Sequence, residues 1–456
     1  MKRTLALLLV VLLGLMVAAP SLSSAEGSAD VTGTIRIVGP GALNGPGAEG
    51  AEDLITGVFK PGYKALIEEF NKDYPNVTIE FTETPWDNWI AVLQTAAAGG
   101  TADILLHGSM LTDISIDLSP YLEQSPEVLE ALATGPEYYR YDAEDWTKAA
   151  PTGISYVVDP YFALIDKKIF EEWGIELPDK NWTWDDLLKL AQATTGANPV
   201  TGEANYGVIP FTMSANNYWK AYSSYCAANG FKNFFFDETP AKFEARHTFT
   251  SPENVAALSY FNDLIKCTPP NFLEGLGDEF AGRKGSNIAI VLGEGMLGWY
   301  TRGLADDVAD QFMFLPLPVN NDQSDAFSSS FTGTNSIANS KNAADPDLAW
   351  TYIKWLITDD DAQQWLVDNL ACPSTFRGIE MLREKGYTFV DSYQAIMADF
   401  WDRYSITQTD IFDVAYGNTL TAGFSAFTEM YNGNMTPEEC GQAIDDAVEE
   451  YQAMNR

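Results

Sequence analysis

Hydrophobic positions after residue 30 switch repeatedly between a period of two and a helical period. Thr34 to Val38 reads as a strand, and a stretch rich in Gly, Ala and Pro from Gly39 to Gly62 follows it as a long loop. Tyr63, Leu66, Ile67 and Phe70 recur at helical spacing, with Pro75 just past the helix end. Val77, Ile79 and Phe81 alternate as a strand does. Trp86, Trp89, Ile90 and Leu93 return to the helical spacing until Gly99-Gly100, and Asp103 to Leu106 is extended again. This predicted βαβαβ opening calls for a mainly parallel sheet covered by helices, an α/β fold.

Later helix starts carry their own signals. Thr183-Trp184-Asp185-Asp186 has the form of a capping box, with Thr183 accepting from a backbone N–H and Asp186 reaching back. Asp345-Pro346 and Thr436-Pro437 each set a cap residue before a proline at the first helical position. Ala349, Tyr352, Ile353 and Leu356 then form an apolar stripe suited to core packing. The chain shows neither an internal repeat nor a low-complexity linker.

The N-terminus changes the picture of where the protein works. Lys2 and Arg3 precede the apolar run Leu5 to Ala19, and Ser23 and Ala25 stand at the small-residue positions of a cleavage site, so residues 1–25 are expected to be a signal peptide. The first cysteine is Cys226, too late for a lipid anchor. The expected product is a soluble protein of the periplasm or the extracellular space. Losing Lys2 and Arg3 takes the net charge from −37 to −39. Such a charge repels phosphates and anionic lipid and so excludes nucleic acid and membrane surfaces as partners. It fits a solvated acidic surface, or alternatively a polyamine or other cationic solute as ligand. With 46% hydrophobic residues the chain still builds a large core.

An exported chain can keep disulfides. Of the three pairings four cysteines allow, Cys226–Cys267 with Cys372–Cys440 is expected, the alternative being four buried thiols. With only His107 and His247 available and no metal-ligand spacing, neither a metal nor a cofactor is expected. Gly293-Glu294-Gly295-Met296-Leu297-Gly298 fits the dinucleotide pattern by composition but is followed by no clean helix and lies away from a domain start. GxSxG, HExxH and P-loop motifs are absent. A secreted carbohydrate-active hydrolase is the enzyme alternative, since 64 acidic residues could include a catalytic pair.

Several blocks together resemble one family. Phe70-Asn71-Lys72-Asp73-Tyr74-Pro75-Asn76-Val77, the stretch Trp86 to Gly100, and Ala102-Asp103-Ile104-Leu105 are similar to the opening of family 1 extracellular solute-binding proteins, the maltose-binding-protein-like group. Ala150 to Tyr156, Leu164-Ile165-Asp166-Lys167, Gly174-Ile175, Pro178 and Trp182 to Leu187 resemble the family's hinge and the run after it. Phe314 to Pro318, Gly333-Thr334-Asn335, Ala349 to Leu356 and Gly433 to Tyr451 continue the likeness to the C-terminus. The departures are the long loop at 39–62, Asp166 where the family usually has Asn, and Ala102 where it usually has Pro.

The resemblance implies a two-lobe periplasmic-binding-protein fold of type II, each lobe a mainly parallel sheet flanked by helices. Lobe one would hold 31–151 and 334–372, lobe two 157–330 and 377–456, with hinge crossings near 151–156, 330–333 and 372–377. It further implies a non-enzymatic, monomeric component of an ABC importer that binds a small carbohydrate and works with permease subunits in the membrane. Ligand-binding positions follow. His107 directly succeeds a strand, Asp159 lies beyond the first hinge, and Tyr218, Trp219, Trp299 and Tyr300 are aromatics suited to stacking on sugar C–H faces, with Tyr416 a further candidate. Trp86, Trp89, Trp355 and Trp365 read as core.

Overall fold

The structure is a computed structural model that describes residues 28–41, 47–52, 59–85, 88–111, 113–133, 136–140, 149–160, 162–210, 221–222, 224–226, 228–229, 249–270, 286–293, 311–322, 332–369, 372–385 and 416–455. Residues 1–25, read as a signal peptide, lie outside it.

The opening strands are β1 (Gly33–Pro40) and β2 (Val77–Thr84), both rich in β-branched residues, and β3 (Ile104–Leu106), a short run that is buried throughout. Helix α1 (Tyr63–Asp73) joins β1 to β2, and α2 (Trp89–Ala98) joins β2 to β3. Both neighbours pair with β1 in parallel, Ile37 facing Phe81 on one side and Ile104 on the other. Ile35, Ile37, Leu66 and Phe70 fill the core on the α1 face, and Val38, Trp89 and Leu93 the smaller one on the α2 face. The Gly39 to Gly62 stretch carries a short hairpin, Ala51–Glu52 against Phe59–Lys60.

A hairpin of β4 (Pro136–Arg140) and β5 (Ala149–Pro160) follows. The chain then crosses to a second sheet made of β6 (Phe162–Asp166), β7 (Gly196–Ala197), β8 (Ala204–Ile209), β9 (Ile288–Gly293) and β10 (Phe312–Pro316). Strand β11 (Thr332–Asn339) returns to the first sheet. The orders are β2-β1-β3-β11-β5-β4 and β10-β6-β9-β8-β7. Parallel pairing holds across β2-β1-β3 and β8-β9, as the βαβ pattern requires. Every other pairing, β3-β11, β11-β5, β5-β4, β10-β6, β6-β9 and β8-β7, is antiparallel. The sheets are thus mixed and not mainly parallel as expected, because hairpins and the chain's passages between the sheets add antiparallel strands to the βαβ cores.

Helix caps match the residues that predict them. The Thr183 hydroxyl accepts from Asp186 N and the Asp186 carboxylate from Thr183 N, both at 3.0 Å, opening α4 (Trp184–Ala193) after α3 (Lys167–Trp173). Such a box contributes about 1 kcal/mol. In the second half, α5 (Pro252–Leu264) packs on α4, and Asp345 caps α6 (Pro346–Thr358), whose stripe enters the first core. Next come α7 (Asp360–Asp368), α8 (Phe376–Glu384), α9 (Tyr416–Tyr431) and α10 (Pro437–Asn455). Trp355 and Trp365 are packing residues, donating to Asp73 Oδ2 at 3.2 Å and Gly62 O at 3.1 Å.

Described residues of the three segments expected to cross between lobes lie side by side. Residues 151–156 sit within β5, which continues to Pro160 opposite Thr332, and Pro373 bridges to Val157 while Ser374 N donates to Tyr156 O at 3.2 Å. The two cores divide at this seam: Leu366 packs under the first sheet, whereas Val367, Cys372, Ile379 and Leu382 join the core of the second.

The expected disulfides do not form. Cys226, Cys267, Cys372 and Cys440 are all buried thiols, none of them joined in a disulfide. They share the second sheet's core but reside on separate elements, where each packs as a small apolar side chain. Burial pushes the Cys440 thiol up to about 12 and raises Cys226 and Cys267 as well, so the reactive thiolate is scarce. Iodoacetamide at pH 8 is expected to leave the native protein unlabelled and to add four groups after denaturation without reductant. Two or fewer groups on the denatured chain would show that disulfides form after all.

Candidate functional site

In open α/β sheets, ligands bind beyond the carboxyl ends of the strands. In the first sheet those ends are Pro40, Thr84, Leu106 and Pro160. In the second, β8 and β9 end at Ile209 and Gly293, and β10 runs with them to Pro316. The chain itself joins the two edges, because β5 ends at Pro160 and Phe162, where β6 begins, lies in register with both Gly293 and Pro316. The carboxyl edges therefore meet across the crossing.

His107 stands at the end of β3, as its place in the sequence predicts, in a left-handed conformation (φ 59°, ψ 16°). It alone among the described non-glycine residues has a positive φ. A side chain there costs roughly 1–3 kcal/mol, so the surroundings must impose the conformation, and such strain clusters at functional sites. The constraints are visible. His107 N donates to Ser336 O at 2.7 Å, Ser115 Oγ to Gly108 O at 2.5 Å, and Thr152 Oγ1 to Ser109 O at 2.6 Å, while the Ser109 and Ser336 hydroxyls meet at 2.5 Å. A Cβ on Gly108 would fall 2.5 Å from Leu105 Cβ, which keeps the turn tight. The imidazole stands edge-on to Trp89, ring centroids 6.0 Å apart, and only 6% of the residue is exposed. Trp89, read as core, is core and also fixes the histidine ring.

Strand β11 relates His107 to Asp159. Ser336 holds the histidine on one side, and Gly333 pairs with Asp159 on the other, an offset of about 10 Å along the strand. Only the backbone of Asp159 is described. Tyr416 is the first residue of α9, again with its side chain outside the description, while farther along the helix Phe427 and Met430 enter the second core. Tyr218, Trp219, Trp299 and Tyr300 lie outside the described residues, as do Trp86 and the glycine pattern beyond Gly293.

Two features of this edge escape sequence reasoning. The hydroxyl ladder of Ser109, Ser115, Thr152 and Ser336 is spread over distant segments with no local spacing to mark it. Thr84, 5% exposed at the end of β2, buries a hydroxyl without a hydrogen-bond partner, and its place opposite Pro40 comes only from strand register. Among the described residues no His, Cys, Asp and Glu group could hold a metal ion, and no helix is long and apolar enough to cross a membrane.

Two mixed sheets, a multiple crossing and facing carboxyl edges define the two-lobe, type II class of binding protein, with lobes joined by a multi-crossing hinge. The chain belongs to the bacterial extracellular solute-binding protein family, which it matches over residues 56–363. Solved structures share the fold. The substrate-binding protein Lmo0181 of Listeria monocytogenes, in complex with cycloalternan, is 20% identical with a TM-score of 0.63, the match covering 93% of this chain and 100% of that one. The sugar-binding protein MalE of Xanthomonas citri is 16% identical with a TM-score of 0.66, covering 93% and 98%. A solute-binding protein of Agrobacterium radiobacter K84 in complex with ribitol is 16% identical with a TM-score of 0.64, covering 92% and 98%. No curated protein matches the chain in sequence.

Proposed function

We propose that the protein is the exported, non-enzymatic solute-binding component of an ABC importer, and that it takes a small carbohydrate or polyol between its lobes and presents it to membrane permease subunits. What supports this reading is the meeting of the two carboxyl edges where β5 ends at Pro160 and β6 begins at Phe162, in register with Gly293 and Pro316. Ligands that solved relatives hold, cycloalternan and ribitol, support the choice of a hydroxyl-rich solute. Because β5 and β11 stay paired out to Pro160 and Thr332, the pivot in this reading sits at that end of the expected crossings and near Pro373.

The roles follow from chemistry. His107 shapes the rim of lobe one and offers only a narrow edge to the ligand. Asp159 accepts from ligand hydroxyls, and Tyr218, Trp219, Trp299, Tyr300 and Tyr416 give aromatic faces to C–H groups from lobe two. A ligand touching both lobes binds the closed form better, and that difference drives closure.

Calorimetric titration with monosaccharides, their oligosaccharides and polyols should find at least one ligand, and the same ligand should compact the protein in small-angle scattering. For a neutral solute, affinity should change little between low and high salt. Binding of spermidine with a steep salt dependence, and of no saccharide or polyol, would overturn the carbohydrate assignment in favour of a cation. Release of product sugars would overturn the non-enzymatic one.

A further inference from the structure

The loop after β1 carries an exposed aromatic on a braced hairpin. Phe59 is 59% exposed, and Glu52, also exposed, is its register partner across the two short strands. Residues directly opposite in an antiparallel pair project from the same face, so the ring and the carboxylate stand side by side. The ring rests on backbone: Gly50 has φ 79°, and a Cβ there would lie 2.9 Å from Phe59 Cζ and 2.5 Å from Lys60 O.

The base of the hairpin is tied to the helix that follows. Tyr63 N donates to Gly47 O at 3.1 Å and Lys64 N to Ala48 O at 3.2 Å, Lys64 pairs with Glu49, and Trp365 Nε1 donates to Gly62 O. Its position follows from topology. The loop leaves β1 at Pro40 and returns at the start of α1, and in a βα unit both points lie on the carboxyl edge of the sheet.

We propose that Phe59 and Glu52 form an additional carbohydrate subsite at the rim of lobe one, taking a sugar unit of an oligosaccharide that extends beyond the interlobe site. The ring covers C–H groups of the pyranose face and the carboxylate accepts from its hydroxyls. A single exposed apolar residue is ordinary on a protein surface. What distinguishes this one is the acceptor beside it, the glycine bed beneath it and its place on the ligand edge.

The subsite rests on the carbohydrate reading, and one experiment separates the two. Calorimetric titration uses glucose, galactose, mannose and xylose with their linear di- to tetrasaccharides, against wild type and Phe59→Ala, Phe59→Trp and Glu52→Gln. Phe59→Ala should weaken an oligosaccharide by about 3- to 10-fold, the size of a lost aromatic contact, and leave the shorter member of the same series unchanged. Phe59→Trp should restore it, and Glu52→Gln should cost less than Phe59→Ala. An unchanged thermal midpoint would show that the hairpin is intact. Equal affinities of wild type and Phe59→Ala for every saccharide, or binding of monosaccharides alone, would overturn the subsite and leave the carbohydrate reading standing. Wild type that binds none of these saccharides would overturn the subsite, and wild type that binds neither saccharide nor polyol would overturn both.

Discussion

Replacing Asp103 by Ala is expected to destabilise the protein by about 2–4 kcal/mol, because the carboxylate is buried although its Arg36 partner, 26% exposed, can recover part of its solvation. The Asp103 carboxylate is 2% exposed and accepts Arg36 Nε at 2.8 Å, Arg36 Nη2 at 2.7 Å, Arg36 N at 2.9 Å and Ala344 N at 2.7 Å. Arg36 Nη1 donates onward to Gly100 O at 2.6 Å. One side chain thus ties β1, the turn before β3 and the turn after β11, and its loss leaves a guanidinium and two amides without their acceptor. Arg36→Met with Asp103→Leu, which removes both charges, should cost much less than Asp103→Ala alone. Burial opposes the charge on Asp103, but the Arg36 side chain, the Ala344 and Arg36 amides and the charge of Arg36 outweigh it, so the carboxyl titrates below its ordinary range. A depressed folded pKa means that this stability is complete above the ordinary carboxylate range and is lost as pH falls through the folded value. Denaturant titrations of wild type and Asp103→Ala should therefore converge only in strong acid. A difference under about 1 kcal/mol at pH 7 would show that the pair is as weak as a surface one.

Asp103 also shows how far the sequence carries. The alternation of Val77, Ile79 and Phe81 and the helical spacing of Leu66 and Phe70 are local signals, and the elements they predict form where expected, as does the capping box at Thr183. The clamp on Arg36 joins residues far apart in sequence and becomes visible only when strand order is known. The same holds for the candidate site. His107 is legible because a residue following a strand falls on the ligand edge, but its left-handed backbone and buried ring depend on Trp89, Ser109 and Ser336, which no spacing links to it. The cysteine pairing failed for a related reason. Compartment says whether a disulfide can persist, whereas geometry says whether two sulfurs meet, and here the thiols serve as core packing instead.

Asp166→Asn is expected to do the opposite of Asp103→Ala and stabilise the protein at neutral pH. The Asp166 side chain caps α3, accepting from Lys168 N at 3.0 Å and Ile169 N at 3.4 Å, and its second oxygen accepts from Gln311 Nε2 at 2.8 Å. Burial outweighs these bonds and lifts the carboxyl from its ordinary 3.8 to about 6. The sign is then reversed relative to Asp103. Between those two values the folded protein holds a proton that the unfolded chain has released, so stability falls as pH rises through that interval, and the full penalty, about 3 kcal/mol at most, applies above it. Asparagine, the residue usual here in the family the chain resembles, keeps the capping oxygen and carries no charge. Its amide N–H₂ replaces the second oxygen, and Gln311 can turn its own amide to accept from it. The variant should gain about 1–3 kcal/mol at pH 7.5 in denaturant titrations, with the gain shrinking as pH falls below about 6 and vanishing at about pH 3, where the wild-type carboxyl is protonated in both states. A gain that does not change with pH would assign the effect to packing, and a loss at pH 7.5 would show that the charge on Asp166 is worth more to the helix cap than its burial costs.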